Sequence, residues 1–204
     1  MSKPKPAAGG RPKSKQAARA RASAGAGGSR GWPFFVALGA VVALGVALVV
    51  ISAGGGEEAV APPGVMTVEV ASADHVQGRV DYEQTPPVGG DHNAVWQNCG
   101  YYSQPIVPEM GVHSMEHGAV WITYQPSLAE DQVEVLRGLA GSHVLVSPWT
   151  DGLPAPVVAS AWGSQLPLDS ASDPALEAFI EVFRQGDQTP EPGAPCSGGA
   201  GQPE

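Results

Sequence analysis

Ten consecutive residues, Glu109-Met110-Gly111-Val112-His113-Ser114-Met115-Glu116-His117-Gly118, hold two His, two Met and two Glu. His113 and His117 stand four apart, so a helical turn places both on one face, where they can chelate one ion. Gly118 is suited to end such a turn. Imidazole suits zinc and copper, and thioether sulfur favours Cu(I). The expected site is therefore a transition-metal centre, copper before zinc. His113 and His117 are the primary ligands, and His92, His75, Met110, Met115 and Glu109 are candidates to complete it. Neutral imidazole is required, so binding is expected to weaken below roughly pH 6. In the competing reading, the His residues hydrogen-bond loop carbonyls, Glu116 caps a turn and the Met residues fill the core. His113-Ser114-Met115-Glu116-His117 also fits the inverted zinc-peptidase pattern H-x-x-E-H. Gly111 and Gly118 bracket it and a strand follows at once, which disfavours the long helix that pattern needs. A hydrolase using Glu109 or Glu116 as base with a metal-bound water would further require an open coordination position and a cleft. No G-x-S-x-G elbow, phosphate-cradling loop or dinucleotide fingerprint is present, and an enzyme is the less favoured class. His143 opens a strand far from the cluster and reads as structural.

The elements expected to position these residues are α+β: a mainly antiparallel sheet with two helices on one side. Met66–Val70 and Val76–Tyr82 alternate with period two, as half-buried strands do. Residues 83–111 read as a long functional loop, ordered by Trp96, Tyr101 and Tyr102. Ala119–Tyr124 is the strongest strand. Ser127-Leu128-Ala129-Glu130 reads as a capping box opening a helix to about Ala140, with Val133, Leu136 and Leu139 as its stripe. His143–Ser147 and Pro156–Trp162 are further strands. Asp173 and Pro174 open a second helix that buries Leu176, Phe179, Ile180 and Phe183 and ends at Gly186.

Charge divides the 204-residue chain. Residues 1–30 carry eight basic residues and no acid; residues 57–204 carry three Arg and all 20 acids. The acidic part should repel nucleic acid. Between them, residues 32–53 form an uncharged apolar run led by Trp32, long enough to cross roughly 30 Å of hydrocarbon as a helix. The run is longer than the apolar region of a cleaved signal peptide. The expected organisation is a disordered basic cytoplasmic tail (1–31), a transmembrane helix (32–53) meeting the lipid bilayer, a linker (54–64), an extracytoplasmic α+β domain (65–185) and a disordered C-terminal tail (186–204). The positive-inside rule sets that orientation and places the chain in the cell membrane as a single-pass protein. Cys99 and Cys196 then lie outside the cytoplasm, which favours a disulfide. It would close a loop of about 98 residues, worth roughly 4–5 kcal/mol in a chain-entropy account. In the rival arrangement Cys99 is a copper ligand and Cys196 is free. A second functional reading is a non-catalytic cell-envelope module that binds a protein or cell-wall partner through the 83–111 loop.

His75-Val76, Tyr82, Pro86-Pro87, Gly90, His92, Trp96, Cys99-Gly100, Tyr102, Pro105, Glu109 and Val112-His113-Ser114-Met115-Glu116-His117-Gly118-Ala119-Val120-Trp121 resemble the bacterial domain of unknown function 3105 family. The resemblance covers about residues 65–185. It implies membrane anchoring or export and no known reaction. The family's loop commonly reads Pro-Pro-Thr-Ser-Gly-Pro-His, where this chain has Pro86-Pro87-Val88-Gly89-Gly90-Asp91-His92. Leu is common in the family at the place of Met115. The resemblance thus moves weight from Met115 to His92, His113, His117 and Glu109.

Overall fold

A computed structural model describes residues 59–204. The basic tail, the apolar run of residues 32–53 and most of the linker lie outside the described residues. Among the described residues no helix is long and apolar enough to cross a membrane.

The described chain is α+β. Its strands are β1 (Met66–Thr67), β2 (Gly100–Tyr101), β3 (Val120–Tyr124), β4 (Val144–Pro148), β5 (Val157–Ala161) and β6 (Ser164–Leu168). Its helices are α1 (Pro108–Glu116), α2 (Glu130–Leu139) and α3 (Pro174–Phe183). The sheet order is β1-β6-β5-β3-β4-β2. β1, β6, β5 and β3 run antiparallel to their neighbours, whereas β3, β4 and β2 are mutually parallel. The sheet is therefore mixed. The parallel step from β3 to β4 is the place where α2 crosses over, as parallel neighbours require.

β3 is buried at all five positions, and its two faces serve different layers. Val120, Ile122 and Tyr124 join Val133 and Leu136 of α2 and Leu176, Phe179, Ile180 and Phe183 of α3 in one core. Trp121 points the other way, into a smaller core with Leu145, Tyr102, Val112 and Met115. The two expected helices share one face; a third, α1, covers the opposite face and carries the His-rich segment. That third helix lies in what the sequence suggested was the end of a loop. All but two of its nine residues are buried, so it lacks the polar face that makes an amphipathic helix visible. Gly111 lets it pack closely, because a Cβ there would lie 2.8 Å from Trp121 Cζ3.

Other expectations are corrected in detail. The first strand shrinks to two residues, and Val76–Tyr82 forms no strand. Val80 N–H instead donates to Glu109 Oε1 at 2.8 Å. The helix α2 starts without a side-chain cap, so Ser127 does not close a capping box. Asp173 does cap α3, accepting from Ala175 N–H at 2.9 Å. β6 was unforeseen, since Ser-Gln-Leu-Pro-Leu carries a Pro and no clean alternation.

Residues 186–204 are not a free tail. Cys196 is disulfide-bonded to Cys99, with Cα atoms 5.4 Å apart. Cys99 N–H donates to Cys196 O at 2.8 Å, and Ala200 N–H to Trp96 O at 2.8 Å. Composition suggested disorder there, but the covalent tie and these backbone contacts supply the partners that Gly and Pro side chains do not.

Candidate metal centre

The helix α1 presents His113, Glu116 and His117 on one side, at spacings of three and four. Its last turn closes with His117 N–H donating to His113 O at 3.1 Å, and Gly118 follows at φ 90°, the conformation Gly accepts most readily. Opposite α1, two extended segments pair as a bridge that sets His75 beside His92. Val76 N–H donates to His92 O at 2.8 Å, and His92 N–H to Asp74 O at 3.0 Å. Asp91 braces this pair: its carboxylate accepts from Ser72 Oγ at 2.5 Å and from Asp74 N–H at 3.2 Å. Those bonds hold the Asp91 carboxyl below the usual range. Tyr82 donates to Asp91 O at 2.8 Å; burial, then the charges of Glu109 and Asp91, push its phenol up.

These supports bring one ligand atom each from His75, His92, His113 and Glu116 within 4.8 Å of one another. Glu116 Oε2 is 2.9 Å from His92 Nε2, 3.7 Å from His75 Nε2 and 3.9 Å from His113 Nε2. The rings pack directly: His75 stacks on His113 with centroids 4.8 Å apart, and His92 meets both edge-on at 4.9 Å. His92 is fully buried, whereas the His75 side chain is 47% exposed, so the cluster opens to solvent there.

Backbone carbonyls decide which nitrogen each buried ring presents. His92 Nδ1 lies 2.8 Å from Gly90 O, His113 Nδ1 2.6 Å from Asn93 O and His117 Nδ1 2.7 Å from Pro195 O. A carbonyl only accepts, so each Nδ1 carries a proton, and Nε2 is the nitrogen each ring turns toward the cluster, with a lone pair to give whenever the ring is neutral. His92 Nε2 faces a carboxylate oxygen, and His113 Nε2 lies 3.0 Å from His117 Nε2. Bare acceptors at these distances repel unless a proton or a cation sits among them. Burial, followed by the nearby His117 and His92, lowers the His113 pKa, against the opposing pull of Asn93 O and Glu116. The proton is therefore disfavoured at His113, and the geometry suits a cation.

The other expected residues fall elsewhere. Met115 is fully buried in the core with Val112 and Trp121, facing away from the cluster. Met110 takes part through its backbone, its carbonyl accepting from Gln97 N–H and Ser114 Oγ at 3.0 Å. Glu109 is engaged by Val80 and lines a separate cavity of about 560 Å³ with Arg79, Tyr82 and Trp149. His117 adjoins His113 but is not one of the four converging donors. Both cysteines are in the disulfide, so Cys99 is not a thiolate ligand. His143 Nε2 meets Ala194 O at 3.0 Å. Glu116 was the converging carboxylate that the sequence reading assigned to capping or base chemistry; its spacing of three from His113 was the available signal. Trp96, read from sequence only as ordering the loop, has its ring 4.9 Å from that of His117 and 5.7 Å from that of His113; the tail residues Glu191 and Pro195 carried no local signal.

An α+β domain with a three-histidine, one-carboxylate cluster on the outer face of a mixed sheet is thus the class of protein defined here. The family described as "Protein of unknown function (DUF3105)" matches residues 75–198, more than half of the chain, and the protein belongs to that family. No curated protein matches the chain, and no solved structure does.

Proposed function

We propose that this domain binds one divalent first-row transition ion through His75, His92, His113 and Glu116. The observation carrying this reading is the convergence of oriented ring nitrogens on one carboxylate. Backbone carbonyls hold Nδ1 of His92 and His113, so that both Nε2 atoms face Glu116 and each other. Outer hydrogen bonds of this kind fix the tautomer and raise the basicity of a metal-bound imidazole. Three imidazoles and a carboxylate, without sulfur, suit Cu(II) or Zn(II) rather than Cu(I), and intrinsic affinity orders copper ahead of zinc. The placement of Met115 in the core removes the thioether argument for Cu(I). The test is competition titration of the purified domain with Cu(II), Zn(II) and Cu(I). Tight one-to-one binding of a divalent ion, lost in His92→Ala with His113→Ala, is expected. Binding no tighter than that of the double variant would end the proposal.

The basic residues 1–30 and the apolar run of residues 32–53 support a single-pass membrane anchor with this domain outside the cytoplasm. Protease accessibility of residues 57–204 in intact cells would test it. A second reading is favoured by one further observation. The buried His also tie down chain: His92 its own loop at Gly90, His113 the same loop at Asn93, and His117 the C-terminal segment at Pro195. A purely structural cluster in an envelope-binding module would require exactly such ties. That reading expects the double variant to unfold whether or not metal is supplied.

A further inference from the structure

We propose that His117 and Glu191 form a second position for the ion, alternative to the first, and that the ion passes between the two through His113. The inference rests on the reading of the four-residue cluster as a metal site. His117 Nδ1 is held by Pro195 O at 2.7 Å, so its free donor is Nε2. That atom lies 3.0 Å from His113 Nε2 and 3.5 Å from Glu191 Oε2. Two nitrogens bound side by side to one ion, each at about 2.0–2.1 Å, stand about 3 Å apart. The His113–His117 pair therefore already has the separation of two ligands on a shared ion.

His113 has only one lone pair to give. While the ion sits with His75, His92 and Glu116, it takes His113 and leaves His117 outside. While it sits with His117 and Glu191, His113 is turned from the inner group. The two positions are mutually exclusive, and one ion per chain is bound in either case. The outer position has fewer converging donors and so holds the ion less tightly. Its Glu191 side chain is 55% exposed, so it can meet a chelating group in solvent, while the His117 side chain is 5% exposed and lies under Trp96. Glu191 N–H donates to Glu116 O at 3.1 Å, which joins the outer carboxylate to the end of the helix bearing the inner one. An ion moving along this line exchanges one ligand at a time, keeps its oxidation state and releases no group.

The experiment uses the purified full chain loaded with Cu(II) or Zn(II) alone, with stopped-flow withdrawal of the ion by a soluble chelator and a parallel equilibrium titration. Wild type should bind one ion. Glu191→Gln, at an exposed carboxylate, and His117→Ala should each slow loading and withdrawal by about tenfold, the lower end of the effect seen for groups that support a metal site. The equilibrium affinity should stay near that of wild type. Thermal melts of the metal-free variants verify that both fold. Unchanged rates would overturn the transfer role. So would a loss of affinity in His117→Ala as large as in His113→Ala, which would make His117 a ligand of the inner position. So would two ions per chain. A wild-type chain that binds no ion defeats the metal reading itself, an outcome distinct from all of these.

Discussion

His92, His113 and His117 are held by two stretches of chain, residues 90–93 and Pro195, and each has its Nδ1 on a backbone carbonyl. That repetition makes the ring orientation, rather than the mere presence of histidine, the informative feature. Alanine at His113 should weaken divalent-ion affinity by more than the roughly 10–100-fold typical of supporting groups, as read by competition titration. Glu116→Gln should do the same, whereas Glu109→Gln should leave affinity unchanged. Glu109 and Glu116 share a stripe of α1 but stand seven residues apart, about 10 Å along the axis. Sequence spacing marks both as candidates, and only the paths of the neighbouring segments separate them. Met115 was separable in principle, because two residues from His113 is the wrong side of a helix. Met115→Leu should bind metal normally, while Met115→Ala should cost about 2–5 kcal/mol of stability through the cavity it leaves, measured by denaturant unfolding.

At the scale of elements, α1 is the piece that matters and the piece least visible in advance. Its pattern is buried nearly all round, and its two bracketing glycines suggested a turn. One of those, Gly111, proves to be an interior contact against Trp121; the other, Gly118, ends the helix as its residue type implied. Gly111→Ala should therefore destabilise the domain by about 1–3 kcal/mol through overpacking, despite the better helix propensity of Ala, as chemical denaturation would show. The strongly patterned elements, β3, α2, β4, β5 and α3, were legible because each buries a continuous run or a clear stripe. Alternation in Val76–Tyr82 misled because a strand also needs a neighbour with free backbone groups, and here Val80 N–H meets a carboxylate. The parallel pairing of β3 with β4 was signalled by the strand–helix–strand order around α2, which the expectation of a mainly antiparallel sheet passed over.

For the molecule as a whole, the C-terminal segment acts as a strap. It supplies Pro195 O to His117, brings Glu191 to the cluster and is fastened by Cys196 to Cys99. Replacing both cysteines by Ser should lower stability by about 2–5 kcal/mol and speed hydrogen exchange in residues 186–204. Farther along, Glu204 accepts from Ser103 Oγ and from Ser103 N–H, and these bonds hold its carboxyl below the ordinary range. A depressed carboxyl favours docking above its ordinary pKa and loses that effect as pH falls through the lowered value. An NMR titration should show the Glu204 midpoint below the usual value and an increase in the mobility of its amide, which donates to Tyr101 O, over the same pH range. Glu204→Gln should abolish that pH dependence.

The order of residues along the chain has a consequence in time. All four converging donors lie between His75 and Glu116, whereas β3 to β6, α2, α3 and the strap that frame them come later. During synthesis the donors emerge before the sheet against which α1 packs. On the metal reading proposed above, a growing chain would offer these imidazoles, together with the Gly90 and Asn93 carbonyls that orient two of them, before β3 and the rest of the sheet exist to hold α1 against the facing segments. Selectivity among ions would then belong to the finished domain and not to the emerging chain.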